Sequence, residues 1–295
     1  MTFAERSAAT LAHVRTCYYH AGCPDGFGAA YSAWRAWGSR GRLVARGHDD
    51  GFDPLAHEGD LVVFADIALP NAQLRDLAEV ADEVVVLDHH WSARQHFESD
   101  PQLPIFMAGR GHHVIFDLEH SGAVLAWRYF HRDEPEPDLL RYVEDQDLWV
   151  WKLPDSLAVN VAIGSYPREL EVWDELVRRP WQELANEGEP ILRAMRTDVE
   201  RALRFAHPLR VGKVQMEAVN SLHHRSHIGH ALAERAAFGP RVGAVYRMVG
   251  SRVDVSIYSI GDFEVSSLAS RYGGGGHRNA AGFSVPLAEW LAHFV

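Results

Sequence analysis

Val84-Val85-Val86-Leu87-Asp88-His89-His90 joins an uninterrupted apolar run to one acid and two imidazoles. A short apolar run bounded by polar residues suits a strand buried on both faces, as in a parallel sheet. Upstream, the spacing over 74–80 predicts a helix, and residues 61–65 form another continuous apolar run, closed by Asp66. Nearer the start, Thr16-Cys17-Tyr18-Tyr19 reads as a buried strand, residues 28–37 as the helix after it, and residues 43–45 as a weak strand. This alternation predicts an α/β fold whose parallel sheet carries helices on both faces. In such a sheet the carboxyl ends of the strands form the ligand crevice.

Helical periodicity follows over 121–130 and 139–148, then in long charged segments over 164–205 that Pro208 closes. Strand signals return at 214–219, 242–248 and 253–258, before a glycine run at 273–276. The expected organisation is a larger N-terminal domain (1–160), a helical connector (161–207) and a smaller mixed α/β domain (208–295).

The chain has 295 residues and a net charge of −11, and is 47% hydrophobic and 23% charged, which excludes an extended disordered chain. The acidity argues against wrapping long duplex nucleic acid, which needs a basic face. The apolar runs are too short to span a bilayer, and the first residues lack the pattern of a secretory signal. With only Cys17 and Cys23, the expected compartment is a reducing cytoplasm.

Four places put acids or imidazoles at the end of an apolar or helical run. They are His20 with Cys23-Pro24-Asp25-Gly26, Asp66, Asp88-His89-His90, and Asp145 with Asp147. One Asp after a strand is most often a cap or turn former. Four such places together suit divalent cations with mixed nitrogen and oxygen ligands, such as Mn²⁺. Carboxylates also bridge ion pairs about 3.5–4 Å apart, the arrangement used for in-line attack at phosphorus.

These motifs, in this order, resemble those of the DHH phosphoesterase family, whose tripeptide is Asp88-His89-His90. The end of the chain is similar to the DHH-associated domain through Gly273-Gly274-Gly275-Gly276-His277-Arg278-Asn279-Ala280-Ala281-Gly282-Phe283. The resemblance implies two Mn²⁺ ions. His20 and Asp66 would belong to the first, with Asp66 bridging. Asp25, His89 and an acid of the fourth motif, Asp145 in preference to Asp147, would hold the second. His90 would reach the substrate phosphate or the water, and Asp88 would orient an imidazole. Gly274, Gly275, Gly276, His277 and Arg278 would grip the substrate, the glycines through a nest of backbone N–H groups.

Two positions depart from the family pattern. Cys23 stands where an acid is usual; as a thiolate it shifts preference toward Zn²⁺, and as a buried small residue it leaves the first metal poorly held. Tyr258 stands where an arginine is often found, and Arg252 is the candidate to replace its charge. For the other features the bland reading is the preferred one. His223-His224-Arg225, with His227 and His230, reads as a solvated helix start, and His112-His113 as an exposed loop. Trp91, Trp149 and Trp151 read as packing residues that also suit stacking on a base. Ser121-Gly122 reads as a helix cap.

The function expected is metal-dependent hydrolysis of a phosphodiester or phosphoanhydride in a small nucleotide, by metal-bound hydroxide. The substrates considered are short oligonucleotides, cyclic dinucleotides, dinucleoside polyphosphates and phosphoadenosine phosphates. The rivals are a single-strand exonuclease, a pyrophosphatase or polyphosphatase, and a non-catalytic nucleotide-binding module with a decayed metal site. Oligomeric state is left open, and no membrane partner is expected.

Overall fold

The computed structural model describes residues 14–294. They fall into two compact units, one ending at Glu189 and the other starting at Pro190, so the division lies inside a single long helix.

The first unit is built on β1 (Arg15–His20), α1 (Pro24–Trp37), β2 (Gly41–Arg46), β3 (Leu61–Ala65), α2 (Asn71–Val80), β4 (Glu83–Asp88), α3 (Trp91–Glu98), α4 (Gln102–Gly109) and β5 (His113–Phe116). Helices α5 (Gly122–Phe130), α6 (Asp138–Asp147), α7 (Ser156–Ser165), α8 (Leu170–Val177) and α9 (Trp181–Ala202) follow. The strands form one parallel five-stranded sheet in the order β2-β1-β3-β4-β5.

Side-chain alternation explains why β3 and β4 are apolar throughout. Val62, Phe64, Val84 and Val86 pack on one face against Leu74, Leu77, Leu103 and Met107. Val63, Ala65, Val85 and Leu87 pack on the other against Ala29, Ala33, Trp37, Leu125 and Ala126. Every residue of these runs therefore meets a helix, which is the pattern of a doubly covered sheet.

The chain leaves β1 toward β2 on one side and returns to β3 on the other, making a topological switch point between β1 and β3. Register brings Tyr19, Ala65 and Leu87 level, so His20, Asp66 and Asp88 emerge together one residue later.

Three expectations need correction. His112-His113 is not an exposed loop. His113 opens β5, while His112 is buried, accepting the Val84 N–H at Nδ1 (3.1 Å) and donating from Nε2 to the Ala78 carbonyl (2.9 Å). The 161–207 stretch, expected as a helical connector, is not only that, because α8 packs on α1. Trp173 is buried edge-on against Phe27 at 5.0 Å between ring centroids, and Asp174 accepts from Tyr31 (2.9 Å) and Arg35 (2.7 Å). The first unit accordingly runs past residue 160 to Glu189.

The second unit contains β6 (His207–Val211), β7 (Val214–Asn220), α10 (Arg225–Arg235), β8 (Val242–Val249), β9 (Arg252–Ser259), α11 (Ser266–Ser270), β10 (Gly275–Gly276), β11 (Ala280–Pro286) and α12 (Leu287–His293). Its six-stranded mixed sheet has the order β10-β11-β9-β8-β7-β6, with only β7 and β8 parallel. Val253, Val255 and Ile257 enter the core with Phe283, Val285 and Trp290.

In the third correction, the glycine run is less of an open nest than expected. The N–H groups of Gly273 and Gly274 donate to the carbonyls of Ser270 (3.1 Å) and Ala269 (3.1 Å). Gly275 and Gly276 pair with Gly282 and Ala281 as strand β10.

Candidate metal centre

Each side chain at the switch point is set by local backbone structure. His20 is the last residue of β1. Cys23 then caps α1, its sulfur accepting the Gly26 N–H at 3.2 Å, and Pro24 takes the first helical position, where its fixed φ is already suited. Asp25 follows in the first turn and is 1% exposed. Both its oxygens accept N–H groups from the start of α5, Gly122 at 2.7 Å and Ala123 at 3.0 Å. The Ser121-Gly122 turn thus caps its own helix through Ser121 and also fixes Asp25.

Asp66 leaves β3 with φ 60, a left-handed conformation that Asp tolerates better than most side chains. That turn ends the strand and places the carboxylate among its neighbours. One oxygen lies 3.3 Å from Cys23 Sγ and 3.3 Å from His20 Nδ1; the other lies 3.1 Å from His89 Nε2. Cys23 Sγ is itself 3.4 Å from His20 Nδ1.

Asp88 organises the tripeptide. Its Oδ1 accepts the N–H groups of His89 (2.7 Å) and His90 (3.1 Å) and lies 2.7 Å from His90 Nδ1. His89 Nε2 is 3.4 Å from Asp25 and 3.5 Å from Asp147 in addition to its contact with Asp66.

Among the described residues of this unit the donor atoms converge in three groups: His20, Cys23 and Asp66; Asp25, His89 and Asp147; and Asp66, Asp88 and His90. Of the sequence candidates in the fourth motif, the one brought here is Asp147. Asp145 is buried away from the cluster, where its carboxylate accepts the N–H groups of Lys152 (2.9 Å) and Leu153 (3.3 Å). Its carbonyl takes the Val150 N–H at 2.9 Å. This turn holds Trp149 and Trp151 at φ 56 and 55, strained for bulky residues, so Asp145 is engaged in turn formation. The structure thus groups Asp147, and not the preferred Asp145, with Asp25 and His89.

The donor set suits divalent cations. Hard carboxylate oxygens and imidazole nitrogens are mixed in the way Mn²⁺ or Zn²⁺ accept. Asp147 Oδ2 and Asp88 Oδ2 are buried with no hydrogen-bond partner among the described residues. Burial would raise the Asp66 carboxyl, but hydrogen bonds from His20 and His89 outweigh it and hold the group well below the usual range. Burial would lower His89, yet its bonds to Asp25 and Asp66 raise it well above an ordinary histidine. Asp147 is pushed up to about 7, by burial first and then by Asp25. Burial, then Asp66 and Asp25, raises the Cys23 thiol well above its ordinary range.

A cation binding here would have to displace the protons that these groups hold. Both His89 and Asp147 lie above their ordinary values, so affinity for Mn²⁺ should fall as pH drops through about 7. Calorimetry in buffers of different ionisation enthalpy should find proton release on Mn²⁺ binding that grows from about pH 8 to about pH 6. Release that is absent at both ends would contradict these assignments.

One neighbour was not singled out in the sequence. His48 follows β2, whose last residue, Arg46, is level with His20. Its ring lies 5.0 Å from that of His20 and 6.2 Å from that of His90. The strand-end rule would have found it, had the weak strand before it been given equal weight.

The substrate residues expected in the second unit have a mixed fate. Arg278 is exposed, with Nη2 3.4 Å from the Asp262 carbonyl. Tyr258 is buried under α10, beside the His230 ring at 5.1 Å. Arg252 is tied to Ser284 through Oγ (2.9 Å) and the carbonyl (2.8 Å). The helix start expected at His223-His224-Arg225 is present, and His230 within it is buried against the Ser226 carbonyl at 2.9 Å.

No family model matches the chain. Over 289 residues it is 26% identical to an uncharacterized protein of Acanthamoeba polyphaga mimivirus, covering 90% of this chain but only 66% of that relative's length. Among solved structures it is similar to the DHH domain of a member of the s1p family of ribosomal proteins. There the TM-score is 0.57 and the identity 13%, over 95% of this chain and 84% of the other. Weaker likenesses are to PggH, a pGpG-specific phosphodiesterase from Vibrio cholerae (TM-score 0.42, 11% identity, 95% and 96% covered), and to an exopolyphosphatase-related protein from Bacteroides fragilis (0.48, 11%, 92% and 86%). The chain thus has the α/β fold of a DHH domain, as its motifs led one to expect. No helix among the described residues is long and apolar enough to cross a membrane.

Proposed function

We propose that this chain, which has the fold of a DHH domain, is a DHH-type phosphohydrolase that cleaves a phosphodiester or phosphoanhydride bond in a small nucleotide. The observation that carries the reading is a pair of donor groups at the switch point of the sheet, one containing Asp66 and the other touching it through His89. His20, Cys23 and Asp66 would hold one divalent ion, and Asp25, His89 and Asp147 another. When bound, the ions would supply Lewis acidity toward phosphoryl oxygens and make a water more acidic. Asp88 holds the His90 ring through its Nδ1, and this imidazole would meet the attacking water or a phosphoryl oxygen. Asp25 is kept from turning by the α5 N–H groups, so the cluster is preorganised before substrate arrives.

In the second unit, the side chains of His277 and Arg278, which follow the Gly274-Gly275-Gly276 stretch, remain the proposed grip on phosphate or base. The net charge of −11 favours a small ligand over a long strand. A reducing cytoplasm would keep Cys23 a thiol.

The test is hydrolysis by the purified protein with Mn²⁺ or Zn²⁺ against a dinucleotide, a cyclic dinucleotide, a dinucleoside polyphosphate, pyrophosphate and a longer single strand. Turnover concentrated on one small nucleotide supports the reading. Preference for the long strand or for pyrophosphate would move the activity to the exonuclease or pyrophosphatase class. One observation favours a second reading: the Cys23 thiol is raised and serves as a helix cap, so it is a weaker ligand than a carboxylate. A nucleotide-binding module with a depleted first site would bind fewer than two ions per chain and turn over nothing in the panel.

A further inference from the structure

We propose that His48 is a substrate-contact residue, donating an imidazole N–H to a phosphoryl oxygen held over His20 and His90. The inference rests on the phosphohydrolase reading above. His20, His48 and His90 come from the ends of three different strands, β1, β2 and β4, and their rings stand 5.0, 5.9 and 6.2 Å apart. His48 differs from the other two. It belongs to none of the converging donor groups among the described residues, and it is exposed, whereas His20 and His90 are partly buried. It stands at the solvent side of the cluster, beside the ligands without being one of them.

The loop that carries it is fixed by a buried cation. Arg46 is 5% exposed, and its guanidinium donates to the carbonyls of Asp50 (2.6 Å) and Gly51 (3.1 Å) while lying 5.3 Å over the Phe52 ring. The Asp50 carboxylate accepts the Gly47 N–H at 2.7 Å. Burying an arginine is costly unless its donors are used. Here they are used on the backbone on the far side of His48, so the cost goes into holding one exposed imidazole in place. A phosphoryl oxygen reaching the Mn²⁺-loaded site keeps lone pairs that the ions do not use, and a donor outside the ligand set can take one. An imidazole supplies such a donor in either neutral tautomer.

The test uses inorganic phosphate as probe and the Mn²⁺-loaded full chain, with bound Mn²⁺ counted for every variant. His48→Ala should weaken phosphate binding on the order of tenfold with Mn²⁺ content unchanged, and raise KM for the substrate identified in the panel. His48→Gln, which keeps a donor, should recover most of the affinity. Because His48 is exposed, both variants should melt like the parent. Unchanged phosphate affinity in His48→Ala, loss of Mn²⁺ with it, or a parent that binds no phosphate would each overturn the proposal. If the parent hydrolyses nothing in the panel while His48→Ala still weakens phosphate, the hydrolase reading fails and the contact stands.

Discussion

Asp66→Asn is expected to lower turnover by at least about 10³-fold, the equivalent of several kcal/mol of lost charge stabilisation. Among the described residues, Asp66 is the one carboxylate that touches both donor groups, with Cys23 and His20 on one oxygen and His89 on the other. Its hydrogen bonds hold it charged despite burial, so the substitution removes a permanent anion. Asparagine is the informative replacement because it keeps the shape and tolerates the left-handed backbone at φ 60. The fold should therefore survive, with one of the two bound ions and the activity lost together. Wild-type turnover in this variant would remove Asp66 from the chemistry.

Gly122→Ala should be nearly as damaging, although Gly122 carries no functional group. A Cβ there would fall inside contact distance of the Asp66 Cβ and lie 2.9 Å from Asp25 Oδ2. Neither neighbour can withdraw, since Asp66 is held by the β3 turn and Asp25 by the Gly122 and Ala123 N–H groups. To make room, α5 must move from the sheet, which costs about 1–3 kcal/mol as overpacking and separates Asp25 from its donors. Thermal melting should fall by roughly 2–12 °C, and Mn²⁺ affinity should fall with it. Gly164→Ala is the control. That glycine lies in α7 with nothing within 4 Å of a new Cβ, and the change should be neutral or stabilising by up to about 1 kcal/mol. Equal damage from the two variants would mean that the close approach of α5 to Asp66 does not matter.

How much of this was legible beforehand depended on how each residue is held. Strands β1, β3 and β4 announce themselves because helices on both faces demand unbroken apolar runs, and the strand-end rule then picks out His20, Asp66 and the Asp88-His89-His90 turn. Strand β5 did not announce itself, because it is short and opens with His113 beside a histidine that serves as a core hydrogen-bonding group. The choice between Asp145 and Asp147 was beyond periodicity, as both lie on the last turn of α6. What separates the two in the structure is the left-handed turn after the helix, whose N–H groups bind Asp145. The extent of the first unit was hidden for a similar reason. Helix α8 looks like a charged surface helix until Trp173 and Asp174 are seen to meet α1.

The most direct test of the account is a Mn²⁺ titration followed by electron paramagnetic resonance. The prediction is two ions per chain with the spectrum of an interacting pair, reduced in Asp66→Asn to the pattern of an isolated ion. A parent chain that never binds more than one ion, or that shows only the isolated-ion pattern at saturation, would contradict a shared carboxylate at the centre of this site.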